Sequence, residues 1–466
     1  MTSTRCSTFR RPTLAIGLGA LLSAAVGPVA HARYYQVFTS SIGANVINSG
    51  DGYCSLAEAI KSVNDGVSVA NCTDLDSSNP GRIDLTPAPN KPFSTNHYNI
   101  AGTTFTLTRS VLITASEEGF VAFIDSSGSL AFKVNNGVNV SFYGLDIKHT
   151  GTGSGRLVWN AGTLSMANSF IRNGNVTTEP TGRGGGIYNE RTGNLSLYSS
   201  QVVNNKAKRG GGIYNDDGVI QNLDATISGN SATMTGGGLY NFKSGVNPNA
   251  VVNLSAIIKN NSAKAGGGIV NLGGDIFVNS TASITSNFTV AGSVTGGGEL
   301  CHLGTCSPAN PSACHSGPCD GNGAGVLNLD VSNSLVAHFV MEAPLTVSSN
   351  TAVNYGGAFY NTGQLNLSNV TISGNKAKSG AAIFAAGLVV PPSTQPCSNY
   401  CQVLDSNGPS SITSNTATGT PSNTVYSIVD SSGADQTFCS FQASASGNTN
   451  PYCKAAGVRP GTSCPQ

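Results

Sequence analysis

The sequence predicts an all-β fold: a single-stranded right-handed parallel β-helix with a short N-terminal capping helix. The first observation is a recurring stretch, RGGGIYN at 183–189 and 209–215, TGGGLYN at 235–241, AGGGIVN at 265–271 and YGGAFYN at 355–361. Gly184, Gly210 and Gly236 stand 26 residues apart, and Gly236, Gly266 and the degenerate GGGELC at Gly296 stand 30 apart. Gly356 and Gly380 continue the series. Fixed periods of this length mark a stacked repeat. The second observation is an in-phase series of asparagines, Asn205, Asn230, Asn261, Asn287, Asn350, Asn375 and Asn415, with Asn173 a weaker member. The third is the filling between the markers. NLSLYSSQVVNN, VIQNLDATISGN and QLNLSNVTISGN place apolar residues at every second position, which is strand periodicity. No helical stretch interrupts these units, so each fits one coil of a β-solenoid.

Taken in order, residues 1–32 read as an export signal. Arg5, Arg10 and Arg11 precede the apolar run TLAIGLGALLSAAVGPVA, and Ala30 and Ala32 suit cleavage before Arg33. No later stretch reaches the roughly 18 apolar residues that span a bilayer. Residues 33–98 are expected to form an N-terminal cap. Leu56, Ala59, Ile60 and Val63 fall on one face of a helix that would hide the open end of the first coil. The solenoid is expected over 99–438, with a Cys-rich insertion near 299–325 and a Cys-containing tail at 439–466.

Within the solenoid, stacked coils place equivalent residues in columns about 4.8 Å apart. Glycine suits a sharp corner, and inward asparagines can hydrogen-bond from coil to coil. Asn189, Asn215, Asn241, Asn271 and Asn361 are expected to form one such ladder and the second Asn series another. Charged residues are only 10% of the chain and glycines number 58 of 466, as expected where backbone pairs with backbone. Net charge is +1, with no basic stripe to recruit nucleic acid.

Twelve cysteines fit an oxidising compartment. Cys54 and Cys72 are expected to tie the cap. Cys301, Cys306, Cys314 and Cys319 sit beside His302 and His315, a set zinc could use. Their spacing lacks the usual CxxC pair, so disulfides within the insertion are the expected outcome and no metal or cofactor is expected.

Two groups of residues could act on a ligand. Tyr188, Tyr214, Tyr240 and Tyr360 each precede a ladder asparagine, and strand alternation turns them outward. Such a column could stack on a sugar or grip a protein, or its rings could stack on one another and stiffen the face. Asp216 and Asp217 in YNDDG are the adjacent carboxylate pair of the repeat region. They could serve as acid and base of a glycosidase, or be turn residues paired with Arg191 and Lys243. No dense acidic cluster suggests the calcium site of a uronate lyase.

The stretch CSLAEAI, preceded by GDG and followed by AN, resembles the N-terminal segment of secreted bacterial CSLREA-type β-helix proteins. Cys54, Ser55, Leu56, Glu58, Ala59 and Ile60 match, and Ala57 replaces the family's arginine. The aliphatic-x-x-Asn and Gly-Gly-x-Ile motifs are similar to repeats of chlamydial polymorphic outer membrane proteins. The resemblance spans about 36–430 and implies a surface adhesin, though the β-barrel translocator of those proteins has no counterpart in the sequence. The expectation is an exported, monomeric, non-enzymatic β-helix of the cell surface or extracellular space that binds polysaccharide or a surface protein. A polysaccharide lyase or glycoside hydrolase is the alternative.

Overall fold

A computed structural model describes residues 34–38, 44–47, 52–73, 81–86, 97–115, 121–178, 182–245, 250–292, 321–330, 336–378, 380–385 and 411–418, with the strand backbone at 403–405, 425–428, 438–439, 444–446 and 452–455. Every strand pairing among these elements is parallel, and the strands stack coil upon coil into a β-helix. The coil containing Asn215 shows the plan. Ile213–Asp216 lies on one face, Val219–Ser228 bends across two more, and Ser231–Thr235 returns the chain to the next coil. Twelve strands stack on the face of Ile213–Asp216, and two further columns merge into one sheet where ten-residue strands turn the corner.

Alternation decides what fills the interior. Ile213, Leu239, Ile269, Val326, Phe359 and Ile383 occupy one register position on successive coils and are sealed from water. Similar stacks from the other faces join them in a single core running the length of the solenoid. Fully burying each such side chain contributes about 1.5–3 kcal/mol.

The helix Leu56–Asp65 belongs to the same core through Leu56, Ala57, Ala59, Ile60 and Val63. Its boundaries follow from its sequence. Ser55 accepts from the Glu58 amide and Glu58 accepts from the Ser55 amide, which is a capping box. Gly66 ends the helix in the left-handed region at φ 71°. Asn64 then docks the cap on the solenoid, donating to Thr106 O at 2.7 Å and accepting from Thr108 N at 3.0 Å. Cys54 and Cys72 are disulfide-bonded. The stacking starts earlier than residue 99, because Tyr34–Phe38 already pairs with Arg82–Thr86, and that strand with Val111–Ala115.

Candidate functional site

The glycine corners explain themselves sterically. Gly210 has φ +61°, and a Cβ there would stand 2.5 Å from Ile213 O and 2.9 Å from Tyr214 Cβ. A Cβ on Gly211 would meet the carbonyls of Gly237 and Ser231 at 2.5 Å, and one on Gly212 would meet Gly238 O at 2.7 Å. In this coil all three positions are bare because the corner backbones of adjacent coils touch, whereas the corners at 323–325, 356–358 and 380–382 keep the positive-φ glycine and admit alanine beyond it.

Behind the corner run two buried ladders. In the first, each side-chain amide donates to the next coil's amide oxygen: Asn160 to Asn189, Asn189 to Asn215 and Asn215 to Asn241 at 2.7 Å, Asn241 to Asn271 at 2.9 Å, Asn271 to Asn328 at 2.8 Å, and Asn328 to Asn361 at 2.7 Å. The second connects Asn205, Asn230, Asn261, Asn287, Asn350, Asn375 and Asn415 at 2.9–3.0 Å. Asn173 is not a rung. It is exposed, and Gly174 occupies the ladder position, its amide donating to Asn205 Oδ1. Asn160 and Asn328 are rungs that the glycine signature does not announce. The degenerate GGGELC lies outside the described residues, and Gly267 N donates directly to Gly323 O of the next described coil. Cys301, Cys306, Cys314 and Cys319 lie outside the described residues.

The tyrosine column exists, and it is buried. Tyr188, Tyr214, Tyr240 and Tyr360 are 9%, 0%, 0% and 7% exposed. Alternation does turn them away from the lumen, and there they form a second apolar cluster with Val270, Leu272, Leu327 and Phe384. Tyr214 and Tyr240 stack at 4.8 Å, 7° from parallel, and Tyr188 stacks on Tyr214 at 5.8 Å. Arginines cover the rings: Arg183 lies 5.1 Å over Tyr214, and Arg156 lies 5.4 Å over Tyr188 and 5.2 Å over Trp159. Outward from the strand is therefore not outward into water.

Asp216 and Asp217 are committed to the scaffold as well. Asp216 accepts from Tyr188 Oη at 2.5 Å and pairs with Arg183 at 3.1 Å. Burial, then the bond to Asp216, raises the Tyr188 hydroxyl well above the usual phenol range. Asp217 is 3% exposed, pairs with Arg191 at 2.9 Å, and accepts from the Ser244 amide and hydroxyl. Its partner is thus Arg191 but not Lys243, which reaches Asp275 at 3.7 Å.

Stacking assembles charged groups that lie far apart in the chain. On one outer face Asp125 pairs with His97 at 2.8 Å and Lys148 at 3.3 Å, and Asp146 pairs with Arg172. The bond to Asp146 raises the Arg172 guanidinium above its ordinary value. On another face His338 meets Asp275 at 2.6 Å. Nearby Asp330 is buried, and burial pushes its carboxyl up to about 7 against the Ala337 amide and His338. These groups could have been found by aligning carboxylates one coil apart; adjacency in sequence does not reveal them. Among the described residues no group of three or more His, Cys, Asp or Glu could hold a metal ion, and no helix is long and apolar enough to cross a membrane.

No curated protein and no solved structure matches this chain. The Chlamydia polymorphic membrane protein repeat family matches residues 369–386. That segment holds the strand Val370–Ser373, the rung Asn375 and the corner beginning at Gly380, so the chain is similar to that family over one complete strand, ladder and glycine unit.

Proposed function

We propose that the protein is an exported β-helix of the cell surface or extracellular space that acts by binding, through its outer faces, rather than by catalysis. The single observation that carries this reading is the commitment of the stacked carboxylates. Asp125, Asp146, Asp216, Asp217 and Asp275 each bridge to a cation on the same or a neighbouring coil. A general acid or base must instead be available to a substrate proton. The match to a surface-protein repeat at 369–386 and the export signal read at 1–32 support the location. Retention of the purified, signal-free chain on cells and on immobilised glycans tests the proposal. Retention on either is expected, and its absence from both refutes the reading.

A polysaccharide lyase or glycosidase is the second reading, favoured by the face on which the carboxylates Asp125 and Asp146 meet His97, Lys148 and Arg172. Release of reducing ends or unsaturated products by the parent, lost in Asp125→Asn or Asp146→Asn, would establish it.

A further inference from the structure

The outer face of four consecutive strands carries a regular lattice of hydroxyl groups. Ala282–Thr285, Leu345–Ser348, Val370–Ser373 and Ser411–Thr413 stack in unbroken register, Ser283 on Thr346 on Thr371 on Ser411 and Thr285 on Ser348 on Ser373 on Thr413. Each strand presents one threonine and one serine outward, flanking an inward Ile284, Val347, Ile372 or Ile412. The backbone continues the two ranks to positions 444 and 446. Neighbouring ranks are about 6.6 Å apart along a strand, and successive rungs about 4.8 Å apart between strands.

Two further features separate this strip from ordinary surface. Among the described residues none of its eight hydroxyls makes a hydrogen bond, whereas Ser169, Thr192 and Ser200 spend theirs on backbone carbonyls at 2.8, 2.6 and 2.9 Å. The strip is also held rigid from behind. Asn287, Asn350, Asn375 and Asn415, two residues beyond the second rank, form consecutive rungs of the buried ladder and fix the strand spacing. The outward positions carry no charge and no aromatic ring, which disfavours a soluble sugar, since sugar sites combine a ring platform with directed polar groups.

We propose that this strip binds the surface of ice crystals. A solid whose water oxygens repeat in two dimensions is the partner that an uncharged, periodic array of hydroxyls fits. Hydroxyls anchor lattice waters while the threonine methyls order the water between them. Preorganisation by the ladder removes the entropic cost that mobile side chains would pay on docking. Toward the N-terminal side Ile257 and Lys259 interrupt the ranks, which sets that limit of the site.

The test uses the full signal-free chain, oxidised at Cys54–Cys72, in thermal-hysteresis measurements and in partition into slowly growing ice. The parent is expected to depress the freezing point relative to melting and to enter the ice. Thr346→Lys/Thr371→Lys should lose both activities, while Ser262→Lys/Thr416→Lys, on a different outer face, should keep them. Circular dichroism and melting check the fold of each variant. Ser348→Thr/Ser373→Thr adds methyls without charge and should increase hysteresis, which keeps the proposal testable if the lysine variant fails to fold. Absence of hysteresis and ice uptake by the parent, or equal activity of parent and strip variant, overturns it. So does retention on a crystalline neutral polysaccharide that the strip variant loses while the parent ignores ice.

Discussion

Replacing Asn215 by alanine removes one rung from the middle of a buried ladder. The Asn215 side chain accepts from Asn189 and donates to Asn241 Oδ1 at 2.7 Å and Gly218 O at 2.8 Å. Asn189 keeps longer contacts to Gly193 O and Val219 O, at 3.2 and 3.3 Å. Asn241 Oδ1 and Gly218 O lose a donor inside a site that is 0% exposed at Asn215. Two stranded acceptors at about 1–3 kcal/mol each predict a loss of about 2–6 kcal/mol. A solenoid can unravel locally, so the assay pairs denaturant midpoints with amide exchange over 187–193, 213–219 and 239–242. Asn253→Ala is the comparison, because its one bond, to Gln221 O, lies at the surface and its removal should stay within about 0.5 kcal/mol. If Asn215→Ala matches Asn253→Ala in midpoint and leaves exchange unchanged, the ladder does not stabilise the fold as argued.

Gly210→Ala should cost at least about 1–3 kcal/mol from its positive φ alone, and more from the clash with Ile213 O, read as a lowered melting temperature. Tyr214→Ala should destabilise by about 3–5 kcal/mol, as expected for loss of a buried ring; a neutral effect would mean the ring faces water. Asp330 has a carboxyl raised above its unfolded value, so the folded state binds the extra proton. Stability from this group is therefore present at low pH and lost as pH rises through about 4 to about 7. Asp330→Asn should flatten that fall in a series of melts across the range.

Periodicity made most of the architecture readable. The 26-residue spacing, the period-two strands and the capping helix all follow from patterns that local chemistry imposes, and CSLAEAI resolves into a disulfide cysteine, an N-cap serine, a capping-box glutamate and four core residues. Asn160 and Asn328 escaped because RLVWN and GAGVLN reach the same corner without a glycine triplet. Asn173 misled by a single residue, a shift that register alone reveals. The tyrosines expose the limit of alternation: it tells which side of a sheet a ring takes, but not whether arginines from the preceding corner cover that side. The bridging carboxylates were hidden for the opposite reason. Asp125 and Lys148 stand 23 residues apart in the chain, yet the stacking of Ala122–Ser126 on Leu145–His149 sets them side by side, with Asp146 two places along the same strand.

The same neighbour-only logic predicts how the chain tolerates its longest excursion. Asn271 donates to Asn328 as readily as Asn215 does to Asn241, although 57 residues separate the first pair and 26 the second. The excursion leaves and returns at adjoining points: Val290 N donates to Ala263 O at 2.8 Å and Gly321 N to Lys264 O at 2.6 Å. Consecutive residues of one coil therefore hold both ends. Loop closure scales with the logarithm of length, about 0.6 kcal/mol per doubling, so shortening such a loop has little effect on stability. Replacing 293–320 with a short glycine linker should leave the circular dichroism spectrum and melting temperature close to the parent's, and amide protection at Asn271 and Asn328 intact. Loss of the cooperative melt on excision would show that the insertion holds the solenoid together and that the two halves are not joined by the ladder and strands alone.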